Sequence, residues 1–398
     1  MSNEPLGMPA TAGKPRLAFV DNIRWTVIAM VVLLHACVTY SGMGSWYYNE
    51  GLAKGLPLIV MSFYDSFAQA FFMGILFFIA AVFIPGAYDK KGFSRFLLDR
   101  FVRLGVPTLI FMFVLSPLTN YIHERGMGAH TALVTRPLSW WLDYMRSGSF
   151  VRETGPLWFT AALLIFSIVY AMVRRIAGGA RGGVTATARW PAASGRTVSM
   201  GAVCLFVIIA AGSFLVRIVQ PIGSNVLNMQ LGFFTQYVVL FCAGLWAARR
   251  NLILSIPRKT GALWMRLALG VGIPTWFLLF GLVSLSGPLT TIMGGLRWQA
   301  AAYAVWESFF AVAFSIGLLV FYRERFNVRN RVTGLLSDTS FGLYVFHPPF
   351  LVGASMIMRT WHVCPLEKAL VAAALAWLAT LGVSWLVHHT PGLRRLFA

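Results

Sequence analysis

The chain is 398 residues long, 58% hydrophobic and only 12% charged, with a formal charge of +20. A charged fraction far below the roughly 25% of ordinary soluble domains excludes a soluble globular protein. The excess of basic residues falls in loops between apolar runs and not on one face, which excludes nucleic acid as a partner and makes the lipid bilayer the solvent.

A polar leader, 1–16, precedes the first apolar run; the run is longer than a signal-peptide core and lacks a small-residue cleavage site, so it is expected to stay in the mature protein. Runs of roughly 17 to 25 mainly apolar residues cross the hydrocarbon core as helices. Ten are predicted, at 17–40, 63–84, 104–122, 157–173, 198–219, 231–248, 263–285, 303–322, 341–358 and 369–387. The expected fold is an all-α integral membrane protein whose ten helices enclose a polar cavity, one domain over 17–387 with a short tail at 388–398. With the amino terminus inside, 24 of the 33 Lys and Arg fall in alternate loops on the cytoplasmic side. That bias predicts both termini in the cytoplasm.

The first span carries an unusual pair. Arg24 and His35 are eleven positions apart, about three helical turns, so they share a face with a rise of roughly 16 Å between them. Arg24 then lies near the cytoplasmic headgroups and His35 near or beyond the midplane, with Asp21 one turn before Arg24 and able to orient it. An imidazole at that depth can exchange a proton near neutral pH. In the second span Asp65 and Gln69 lie one turn apart near the outer end and are candidate acceptor-binding groups.

Ahead of the third span, RFLLDRFVRLGVP (95–107) places Arg100 and Arg103 one turn apart, where planar guanidinium forks suit phosphate. The longest external loop contains RPLSWWLDYMRSG, whose tryptophans predict a segment lying on the membrane surface. Gly155 and Pro156 open the fourth helix, close to Trp158. The Gly, Ala and Arg rich loop 176–196 reads as a flexible tether. Gln236 and Glu307 are further polar points inside the sixth and eighth spans.

In the ninth span, SDTSFGLYVFHPPFL (337–351) repeats Ser340, Tyr344 and His347 on one face. With the span starting at 341, His347 is expected roughly 10 Å below the cytoplasmic boundary. Pro348 and Pro349 predict a kink or break there. Cys37, Cys204, Cys242 and Cys364 stand singly and show no metal-type spacing.

The Arg24–His35 spacing in LAFVDNIRWTVIAMVVLLHA, the arginine pair in RFVRLGVP, GPLWFTAALLIF (155–166) and LYVFHPPF (343–350) resemble the landmarks of acyltransferase family 3, most closely its glucan biosynthesis protein C branch. The resemblance covers nearly the whole chain. It departs in the second span, where FFIAAVF has Ala80 and Ala81 at the place of a Ser-Gly pair, and no hydrolase-like domain is expected after the tenth span.

The resemblance implies transfer of an acyl group, acetyl, succinyl or similar, from acyl-coenzyme A to a hydroxyl of a glycan or other acceptor, at a bacterial inner membrane. No permanently bound cofactor is expected, acyl-coenzyme A being the donor substrate. Arg24, Arg100 and Arg103 would hold the donor's phosphates while its pantetheine arm spans the distance to His35, acting as general base or acyl carrier, with His347 assisting. Asp65, Gln69, Trp158, Tyr344 and Glu307 would line the acceptor side. Two other readings fit the same residues: a secondary transporter using Arg24, His35 and His347 as a proton path, against which stands the lack of paired interrupted segments, and an inactive scaffold, for which Ala80 and Ala81 speak.

Overall fold

The computed structural model describes residues 17–128, 136–178 and 193–397. The leader 1–16 and most of the 176–196 tether lie outside the described residues. Ten helices are long and apolar enough to cross a membrane. They are α1 (Ala18–Ser41), α2 (Gly55–Lys91), α3 (Phe93–Gly126), α4 (Gly155–Ile176), α5 (Gly195–Val219), α6 (Leu231–Arg249), α7 (Arg258–Ser286), α8 (Trp298–Arg325), α9 (Arg331–Ile357) and α10 (Pro365–His389). The protein is an all-α integral membrane protein. A further helix, Pro137–Arg146, belongs to the long loop, where the tryptophans predict a surface segment.

The layering follows from which faces can be buried. α1 packs against α2, α8, α9 and α10, and α8 is the most enclosed span, whereas α5, α7 and α10 leave most of their apolar surface to lipid. Polar side chains therefore concentrate on faces turned to other helices, because intramembrane polar groups need protein partners.

Several boundaries move from the sequence reading. α3 begins at Phe93, since the charged 93–103 segment is amphipathic and stays helical at the basic end. α9 begins ten residues before the expected 341: Asn330 and Thr333 form a reciprocal capping box, and the polar residues Ser337 to Ser340 are absorbed into the helix. Pro348 and Pro349 do not break it; the helix runs continuously through both.

Prolines leave a different trace. Each of Pro107, Pro117 and Pro274 follows a π-turn, at Phe101–Gly105, Phe111–Leu115 and Ala268–Gly272. A proline cannot donate to the carbonyl four residues back, and the widened turn relieves the ring's clash with it. The freed carbonyls become docking points: Phe113, four before Pro117, accepts from Trp141 Nε1 at 3.0 Å, which ties the surface helix to α3.

Candidate functional site

His35 sits six residues before the end of α1. The helix stops at Gly42, whose φ of +73° is left-handed and whose place would bring a Cβ to 2.7 Å from the Gly51 carbonyl, so only glycine fits without displacing the chain. The loop that follows folds back over the helix end. It is held by Glu50 N–H to Thr39 O at 2.9 Å, Ala53 N–H to Ser41 O at 3.1 Å, and an ion pair of Glu50 with the buried Lys368 at 2.5 Å.

This fold-back returns Trp46 to the depth of His35. The two rings stack at 3.7 Å between centroids, and His347 completes a parallel triad, 5.4 Å from His35 and 5.9 Å from Trp46. The expected shallow position of His347 is thus corrected: with α9 starting at Arg331 it lies about 24 Å along its helix by the usual rise, level with His35, about 26 Å along α1.

The tautomer of His347 follows from Pro348. Proline at 348 cannot supply the amide that would normally bond the Tyr344 carbonyl, and His347 Nδ1 takes that place at 2.9 Å. A carbonyl only accepts, so Nδ1 carries the proton and Nε2 of the neutral ring presents a lone pair. Among the described residues, buried His347 Nε2 and Trp46 Nε1 have no hydrogen-bond partner. One base and one donor are therefore free beside half-buried His35.

At the basic end Arg24 pairs with Asp21 at 3.4 Å and covers the Phe83 ring at 5.3 Å. Arg100 packs over Phe96, and its guanidinium lies close enough to Asp99, Arg103 and Arg24 to feel all three charges. Asp99 bridges Lys91 at 2.8 Å and Arg103 at 3.3 Å. The three arginines named from sequence are thus neighbours in the charge field of one rim.

The acceptor candidates separate. Asp65 is half-buried with both carboxylate oxygens enclosed, the Ser41 hydroxyl lying beside them. Gln69 donates to the Tyr237 hydroxyl at 3.2 Å, Trp158 stacks on Tyr237 at 5.4 Å, and the Tyr344 hydroxyl donates to Pro156 O. These three line one aromatic wall that reaches His347, whose ring is 6.4 Å from that of Tyr344. Glu307 is held in a fully buried pair with Arg217 at 2.5 Å, near enough to Tyr237 for its charge to act on that phenol. Gln236 donates to Ala70 O at 2.7 Å and joins α6 to α2. Ala81 has a packing role: Gly244 of α6 lies so close that a Cβ there would meet Ala81 Cβ at 2.7 Å.

Sequence reasoning missed Trp46, Tyr237, Arg217 and a polar cluster on the side away from the basic rim. In that cluster Glu153 accepts from Ser116 at 2.8 Å and Asn120 at 2.7 Å, with Tyr47 and Tyr144 on Ser116. Burial raises both phenols, Tyr144 to about 12, so they remain neutral donors. Tyr47 meets the Trp46 ring edge-on at 5.0 Å, which joins this cluster to the histidines. The one signal for it was the acidic residue just before GPLWF.

Residues 17–389 match the family model described as an acyltransferase domain. No curated protein and no solved structure matches the chain.

Proposed function

The chain belongs to acyltransferase family 3, and from that premise we propose that it is a membrane O-acyltransferase moving an acyl group from acyl-coenzyme A to a hydroxyl of a glycan or similar acceptor. The observation that carries the reading is the parallel triad of His35, Trp46 and His347, level in the bilayer, with a free imidazole nitrogen and a free indole N–H. The rim of Arg24, Arg100 and Arg103 holds the donor's phosphates through charge-assisted hydrogen bonds. The positive-inside bias supports a cytoplasmic position for that rim and for both termini, in a protein proposed to reside in a bacterial inner membrane.

His35, the more accessible imidazole, acts as general base. It takes the proton of the acceptor hydroxyl as that oxygen bonds to the acyl carbon; the carbonyl re-forms as the carbon–sulfur bond breaks, and the imidazolium returns the proton to sulfur, so that coenzyme A leaves as the free thiol and His35 is again neutral. Trp46 Nε1–H donates to the oxyanion formed on the way. His347 Nε2 accepts a hydrogen bond from the substrate and orients it. Trp158, Tyr344 and Gln69, with Tyr237, give the acceptor stacking and hydrogen bonds, and Asp65 adds an acceptor oxygen near the outer end of α1.

The test is incubation of purified protein with labelled acyl-coenzyme A and a polysaccharide acceptor. Labelled ester on the acceptor, lost in His35→Ala, is expected. Accumulation of unaltered substrate in sealed vesicles, with no ester formed, would overturn the proposal.

A further inference from the structure

A cavity of about 440 Å³ lies between α5, α6 and α8, and none of its lining residues belongs to the histidine triad or the arginine rim. Its mouth is at the basic end, where α5 begins and α6 finishes: Ser194, Thr197 and Arg250 stand there. Its inner end is formed by Leu205, Leu240, Val312 and Phe78. These lie nine to thirteen positions from the basic ends of their helices, about 14–20 Å at the usual rise, comparable with half of a roughly 30 Å hydrocarbon core. The cavity is one leaflet deep.

The walls are mostly apolar and offer few of the two to four polar partners that an ordered water needs. The mouth is cationic and aromatic: the Arg250 guanidinium lies 4.2 Å above the Trp246 ring, a pairing suited to the headgroup boundary. α5 turns most of its length toward lipid, with Val203 and Val207 exposed, so a lipid chain can enter sideways. Gly201 lies on the wall, and a Cβ there would meet nothing within 4 Å.

We infer that this cavity is a lipid site that takes one acyl chain of an anionic glycerophospholipid from the leaflet at the basic end, with the phosphate at Arg250. Charge complementarity at the mouth and leaflet depth of the slot favour this occupant over a soluble metabolite, whose polar groups would find few partners on the mostly apolar walls. The site is independent of the acyl-transfer reading and can be tested without any acyl donor.

Native mass spectrometry of the full chain, released from mild detergent after addition of phosphatidylglycerol or phosphatidylcholine with the same chains, reads the site directly. The wild type is expected to retain phosphatidylglycerol at least tenfold better than phosphatidylcholine. Arg250→Ala is expected to level the two lipids, and Gly201→Trp, which fills the slot, to lose both; Gly201→Leu, a smaller intrusion, should weaken retention severalfold where the tryptophan variant does not fold. Glycerol 3-phosphate, the headgroup without the chain, should not compete. The inference fails if the wild type retains no phosphatidylglycerol, if the filled variants retain it undiminished, if the two lipids bind the wild type equally, or if glycerol 3-phosphate displaces the lipid.

Discussion

Trp46 lies parallel to His35 with 3.7 Å between ring centroids, although the two belong to a loop and a helix that Gly42 turns back on each other. The indole shields one face of the imidazole while its own N–H has no partner. Replacing Trp46 by Phe keeps the stack and removes the N–H. The expected outcome is a fall in kcat of about 10²- to 10³-fold with little change in KM, the signature of a donor used only in the transition state; steady-state kinetics on acyl-coenzyme A and acceptor check it.

Loss of either imidazole tests a different function. His35→Ala should lower turnover by about 10²- to 10⁴-fold, the range for a removed general base, while the variant still elutes as a folded monodisperse protein. His347→Ala should weaken acceptor use more than donor binding, read as a rise in acceptor KM at constant affinity for coenzyme A.

Pro348 offers a sharper test because it acts through another residue. Pro348→Ala restores an amide aimed at the Tyr344 carbonyl, in competition with His347 Nδ1. Helix α9 should become no less stable, since alanine is the better helix former, yet turnover should drop about tenfold. Nitrogen-15 shifts of the His347 ring should report a changed tautomer mixture. Unchanged shifts with unchanged turnover would remove the positioning role.

These residues also show what the amino-acid order discloses. Arg24 and His35 are legible because one helix fixes both, and periodicity alone puts them on a shared face. The depth of His347 was not legible: four consecutive polar or hydroxyl residues, Ser337 to Ser340, disguise the first turns of α9 as loop. Trp46 was hidden for another reason, since a loop's return path depends on tertiary ties such as Lys368 to Glu50, more than 300 positions apart. Arg217 was hidden because its partner, Glu307, lies on a helix that only tertiary packing brings beside it.

At the rim, Arg100→Ala and Arg103→Ala are each expected to raise KM for acyl-coenzyme A about tenfold, with kcat changed far less. Arg100, whose side chain is the more enclosed, should show the larger effect. Affinity should fall with added salt in the wild type and less steeply in both variants. Calorimetric titration with coenzyme A measures this without turnover.

The Arg217–Glu307 pair predicts a stability effect. Glu307→Gln leaves a buried guanidinium without its counter-charge and should cost about 3–5 kcal/mol, seen as a lowered Tm or loss of monodisperse protein. The double replacement Arg217→Met with Glu307→Leu should recover most of that loss, because two well-packed apolar residues need no counter-charge.

That same pair sets the order in which the chain can be made. Arg217 emerges from the ribosome ninety positions before Glu307, so α5 reaches the lipid carrying a cation that nothing yet neutralises. A nascent chain arrested before residue 307 is therefore expected to hold α5 less firmly than the finished chain does, with Arg217 turned to the headgroup boundary. Firm seating of α5 is thereby expected to depend on the arrival of α8.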